Sequence, residues 1–185
     1  MKTNTKQIAF VVIGLLIVTA VFTFSKLNMA SAAKTDGKKF DDWMVSCTPA
    51  DEKTNTPEMC LLNQQVNVTQ EDKTQQPMAL YQIGYFGPQK ELKLIQTLPL
   101  GIRIEAGTSI ISSKKLIAPG KYTTCIASGC QAVVPLSDAD LKALLSNSEN
   151  AVAFMNLEGK QLTLPLSIKG LEEGRSEERR VGKEC

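Results

Sequence analysis

Tyr122-Thr-Thr-Cys125-Ile-Ala-Ser-Gly-Cys130-Gln-Ala-Val-Val134 decides the fold class. It reads as a strand, a tight turn and a second strand, with two cysteines placed to close a small ring across the turn. Gly129 is the residue able to take the positive φ that such turns demand. Working outward, the pattern stays β on both sides. Ile102-Arg-Ile104, Ser109-Ile-Ile111 and Lys115-Leu-Ile-Ala118 are short apolar pieces split by Ala106-Gly107 and Ser112-Ser113. This is the cadence of an antiparallel meander, and Pro119-Gly120 marks a turn into the cysteine stretch.

Further upstream, Trp43, Val45 and Cys47 alternate with Met44 and Ser46, the period of a strand with one buried face. Cys60, Leu62, Gln64 and Val66 share the face of a second strand. Strands are also expected over Met78 to Phe86 and Leu92 to Leu98. Downstream, Ser137-Asp-Ala-Asp140 is a capping box ahead of leucines at helical spacing, which predicts a helix over Asp138 to Ser146. Ala151 to Leu157 and Gln161 to Ile168 return to strand, and Pro165 favours an edge position or a bulge. About ten short strands and one short helix predict an all-β fold, an antiparallel β-sandwich or flattened barrel.

The two ends of the chain read differently. Lys2 and Lys6 precede an apolar run from Ile8 to Phe24, and Ala30-Ser-Ala32 then supplies small residues, the layout of a signal peptide cleaved between Ala32 and Ala33. The rival reading is an anchor that stays on the chain, because the run is only slightly short of a membrane span. Arg175 to Cys185 is almost wholly polar and resembles translated adapter sequence, so 175–185 is expected to be a non-native, disordered tail. One domain, 33–174, remains. Three basic residues lie before Ala33, and four basic and three acidic lie from Arg175 on; of the chain's 21 basic and 19 acidic residues this leaves 14 and 16. A domain near −2 gives no electrostatic reason to capture nucleic acid.

Four cysteines in an exported domain argue for two disulfides, and three connectivities are open. Cys47–Cys60 with Cys125–Cys130 is favoured, because each then joins neighbouring strands across one turn. Zinc is the lesser reading, since neither spacing is a close knuckle pair.

The ordered set Phe40-Asp-Asp-Trp43, Cys47, Cys60, Gln64, Leu98-Pro-Leu-Gly-Ile102, Cys125-Ile-Ala-Ser-Gly-Cys130-Gln-Ala and Leu166-Ser-Ile-Lys-Gly170 resembles the invasion-associated locus B family of Gram-negative bacteria. Leu171 stands where that pattern leads one to expect an aromatic residue. The resemblance implies export to the periplasm or outer envelope and a link to host-cell association or entry.

The chain contains no histidine, which excludes Ser–His–Asp and Cys–His catalysis. Ser112-Ser-Lys-Lys115 fits S-x-x-K in spacing but falls in a turn, and that motif needs a helix. Asp41-Asp42 is the most conspicuous carboxylate pair, and solvated charge is its expected role. Trp43 is expected in the core, packed on the first disulfide. The favoured function is a non-catalytic envelope protein, without cofactor or metal, that binds a protein partner in the envelope or on a host cell. Its membrane contact would run only through the N-terminal segment, if uncleaved. The loops Thr48–Glu58 and Gln70–Gln76 are candidate contact surfaces. The alternative is a periplasmic small-ligand or glycan binder with Tyr81, Tyr85 or Trp43 lining its pocket.

Overall fold

A computed structural model describes residues 35–51, 53–54, 56 and 58–176. The signal-cleavage pair Ala32–Ala33 lies outside the described residues. Strands β1 (Lys39–Phe40), β2 (Trp43–Thr48), β3 (Met59–Thr69), β4 (Gln75–Phe86), β5 (Glu91–Leu98), β6 (Thr108–Ser112), β7 (Lys115–Ile126), β8 (Gly129–Pro135), β9 (Asn150–Met155) and β10 (Gln161–Pro165) are accompanied by a short helix between β8 and β9, α1 (Asp138–Leu145). All pairings are antiparallel, in the order β1-β2-β3-β4-β5-β8-β7-β6-β9-β10. The all-β expectation holds, although β3, β4 and β7 run 11 or 12 residues rather than a short strand's length.

The sheet becomes two layers at β7. Its first part pairs with β6 up to Thr108↔Gly120, and its second part pairs with β8 from Lys121↔Val133 onward. Pro119-Gly120 is therefore no turn: it lies inside a strand that changes partners there. Gly120 is needed because a Cβ at this point would meet Thr108 Oγ1 and Val134 Cγ2, one from each layer. A second correction concerns Ile102-Arg-Ile104. Ile102 makes a single bridge to Asn156 and the chain then enters a 3-10 turn, Ile104–Ala106. This segment crosses between the layers instead of adding a strand.

Alternation places one row of side chains across five strands: Val45, Leu62, Ile83, Leu94 and Val134 stand opposite one another in turn. All are at most 1 % exposed. Ile110, Val152, Phe154 and Leu166 complete the same core from the other layer. Helix α1 begins on the expected capping box, with Asp140 N donating to Ser137 Oγ at 3.1 Å and Ser137 N to Asp140 Oδ2 at 2.9 Å. Leu141 and Leu144 are its buried positions.

Gly129 has φ +139°, and a Cβ there would run into the Leu98 carbonyl oxygen. Gly129→Ala should therefore destabilise the fold by about 2 kcal/mol. The shift of the denaturant midpoint measures it, and an unshifted midpoint would show that the turn tolerates a side chain.

Candidate functional site

After β10 the chain leaves its layer and closes over the first strands of the other one. Ser167 is the point of attachment. Its carbonyl accepts from Trp43 Nε1 at 3.0 Å and from Gln64 Nε2 at 3.3 Å, and its N–H donates to Gln64 Oε1 at 3.0 Å. Its hydroxyl donates to Asp42 Oδ2 at 2.6 Å. Trp43 and Gln64 are both buried, so these polar atoms would be costly to leave without partners. Gly170 follows at φ +79°, where a Cβ would collide with the Phe40 carbonyl. A helical stretch, 171–176, then buries Leu171 and Arg175. Gly174 lies close against Leu62 and Phe40.

This arrangement corrects several expectations. Asp41 and Asp42 form the two-residue turn between Phe40 and Trp43, with Asp41 at φ +48°. Asp42 has a structural role as the acceptor for Ser167. The chain also does not leave the fold at Arg175, which is 4 % exposed and donates through Nη2 to Tyr85 Oη at 3.0 Å. Helical spacing from Leu171 turns it inward. Residues 177–185 lie outside the described residues.

The remaining singled-out residues fall as follows. Cys47 is bonded to Cys60 and Cys125 to Cys130, each directly opposite its partner, with Cα separations of 4.0 and 3.9 Å. Trp43 is in the core. Tyr81 has no exposed surface, so it cannot line a pocket open to a ligand. Its phenol stands in a cross-strand row with Gln64, Gln96, Ala132 and Tyr122. Tyr85 is half-buried and engaged by Arg175. Ser112 and Lys115 face each other across a two-residue hairpin whose Ser113 and Lys114 both have positive φ. Their S-x-x-K spacing is a product of that turn.

The two disulfides sit at opposite ends of the strands. Cys47–Cys60 lies toward the end where Gly37 N bonds Val45 O and the N-terminal segment enters. Cys130 pairs instead with Leu98, the far end of β5. Leu92 to Leu98 spans about 20 Å at ~3.3 Å per residue. Loop Thr48–Glu58 belongs to the entry end. The far end carries the Cys125–Cys130 hairpin, the crossing segment after Leu98 and the β9–β10 turn, the last two tied by Leu157 N to Gly101 O at 3.2 Å. It also carries the tip of the β3–β4 ribbon. That ribbon runs out to Thr69↔Gln75, beyond the last β4–β5 pair at Leu80↔Thr97, and Gln70–Gln76 is its exposed tip. Four large apolar side chains are exposed at this far end: Leu100 at 55 %, Ile104 at 50 %, Ile126 at 57 % and Leu157 at 66 %. Sequence reasoning missed this cluster. Leu100 and Ile104 lie on the crossing segment, Ile126 ends β7 and Leu157 lies in the β9–β10 turn, and only the fold brings them to one end.

The family model of invasion associated locus B (IalB) proteins matches residues 43–178. The chain belongs to the IalB family. Among solved structures it is similar to invasion associated protein B from Bartonella henselae, with a TM-score of 0.63 and 14 % identity over 80 % of this chain and 97 % of that one. At that identity the likeness concerns the fold. No curated protein matches the sequence. IalB proteins are bacterial envelope proteins, and the paired cysteines agree with export. The IalB-like motifs at Phe40–Trp43, Gln64 and Leu166–Gly170 are the parts that meet at Ser167.

Two outcomes follow for this site. Gln64→Leu removes both bonds to Ser167 and should cost about 2 kcal/mol. Gln65→Leu on the exposed neighbour should change little, and equal midpoint shifts for the two would deny Ser167 its role. The second outcome concerns Tyr122, whose phenol burial pushes up to about 12, and Tyr81, which burial also raises. The folded state favours the neutral phenols. Their contribution is therefore complete below the unfolded tyrosine value of about 10 and is lost as pH rises from there through 12. Phenolate absorbance followed alongside unfolding tests this, and two tyrosines ionising near 10 in the folded protein would contradict it.

Proposed function

We propose that this IalB protein is a non-catalytic exported component of the Gram-negative envelope that acts by binding a macromolecule, with a role in host-cell association or entry. The observation that carries the reading is the far end. Leu100, Ile104, Ile126 and Leu157 stand exposed around a disulfide-closed hairpin, at the end away from the N-terminal entry. Clusters of exposed apolar side chains are a mark of interaction sites. The ribbon tip Gln70–Gln76 flanks the same surface and supplies a polar rim, the pairing usual in protein interfaces. The glycan-binding alternative draws less support, because Trp43 and Tyr81 are buried.

The test compares the wild-type protein with a Leu100→Asp/Leu157→Asp variant, each immobilised and exposed to envelope extracts and to host-cell surface extracts. Saturable retention of a partner by the wild type, lost in the variant at unchanged melting temperature, is the expected result. Retention that is equal for both, or absent from both, would remove the far end as the binding surface.

A further inference from the structure

We infer that the edge of β10 left unpaired among the described residues joins a second copy of this chain, the two β10 strands pairing antiparallel about Thr163. The backbone register defines what that edge offers. Asn156 N donates to Lys160 O at 3.0 Å and Leu166 N to Asn150 O at 2.9 Å. Hydrogen-bonded positions in an antiparallel pair recur at every second residue, so Lys160, Leu162, Leu164 and Leu166 address β9. Gln161, Thr163 and Pro165 turn their backbone groups to the open side. That side presents the N–H groups of Gln161 and Thr163 and the carbonyls of all three, while Pro165 has no donor to lose.

The side chains select the occupant. Leu162 stands opposite Phe154 and Leu164 opposite Val152, yet Leu162 remains 36 % exposed while Phe154 and Val152 are buried. The stretch Leu162-Thr163-Leu164 reads the same in both directions. A second β10 laid antiparallel about Thr163 therefore sets each Leu162 beside the other copy's Leu164 on the core side, and Thr163 beside Thr163 on the outer side. Two Thr163–Thr163 hydrogen bonds and two from Gln161 N–H to the Pro165 carbonyl close the pair. Centring on Leu162 would instead set Leu164 beside Lys160. Exposed edges are usually guarded by charge, but 161–166 contains none, so like charges do not oppose this pairing. A five-residue edge is small for an interface, and the dimer should be concentration-dependent.

The full chain in mild detergent, carrying Cys185→Ser, is the test material. Opposed Thr163 positions in a hydrogen-bonded pair lie about 5.5 Å apart, within disulfide reach. Thr163→Cys should therefore oxidise to a covalent dimer at least about tenfold faster than Lys142→Cys on the exposed side of α1, because pairing raises the effective thiol concentration. Thr163→Pro deletes a donor that β9 does not use, so it should abolish the concentration-dependent dimer in sedimentation velocity at an unchanged melting temperature. Cross-linking no faster than the Lys142→Cys control overturns the inference. So does a Thr163→Pro variant that sediments like the parent, or a parent that stays monomeric at every concentration.

Discussion

The hydrogen bonds gathered on Ser167 tie the end of the chain to its beginning, across 124 residues in the bond from Trp43 and 103 in those with Gln64. The fold depends on them because its two layers are unequal. One carries β1 to β5 with β8 and part of β7; the other has only β6, β9, β10 and the rest of β7. Four strands do not cover seven. The strands left over are those that begin the chain, and the segment from Leu166 to Arg175 lies on them. Leu171 and Gly174 supply the apolar contact, and Ser167 supplies partners for the indole and amide that the covering would otherwise strand in a dry core. Each such group costs about 1–3 kcal/mol if left unmatched, which disfavours a partly closed clasp.

The disulfides serve a different purpose from the clasp. Each links residues already opposed in a hairpin, so neither sets the topology. In the chain-entropy account the longer ring contributes about 3 kcal/mol and the shorter about 2. What they add is local stiffness at opposite ends of the strands. At the far end this matters most. Cys125 is exposed and Cys130 buried, so the ring roots Ile126, Ala127 and Ser128 on the core while leaving them in solvent. A loop fixed in this way loses little entropy when it meets a partner.

Much of this was legible in the residues, and the failures share a cause. Strand alternation at Trp43–Cys47, the capping box at Ser137 and the edge position of Pro165 are local signals, and the structure keeps them. Pro119-Gly120 carried an equally strong local signal and misled, because the demand on Gly120 comes from Thr108 and Val134, which belong to different layers. Ile102 to Ile104 misled for the same reason: its apolar residues serve a crossing. Asp42 gave no sign of its partner, which lies 125 residues away. Tyr81 read as a candidate pocket-lining aromatic only because a cross-strand row cannot be seen until the register is known.

The residues that make the chain recognisable as an IalB protein are, on this geometry, the ones that hold it shut. Trp43 and Gln64 bond Ser167, Gly170 clears the Phe40 carbonyl, and Gly129 clears that of Leu98. A motif set of this kind identifies a scaffold, and a scaffold does not name an activity. The surface proposed for binding is built differently, from connecting segments and a strand end whose side chains the core does not require: Leu100, Ile104, Ile126 and Leu157. Loops of that sort change without loss of the fold. A body held together by the Ser167 clasp and its staples can thus keep its fold whatever side chains stand at its far end, and the specificity of the proposed binding should be sought there before it is sought in the motifs.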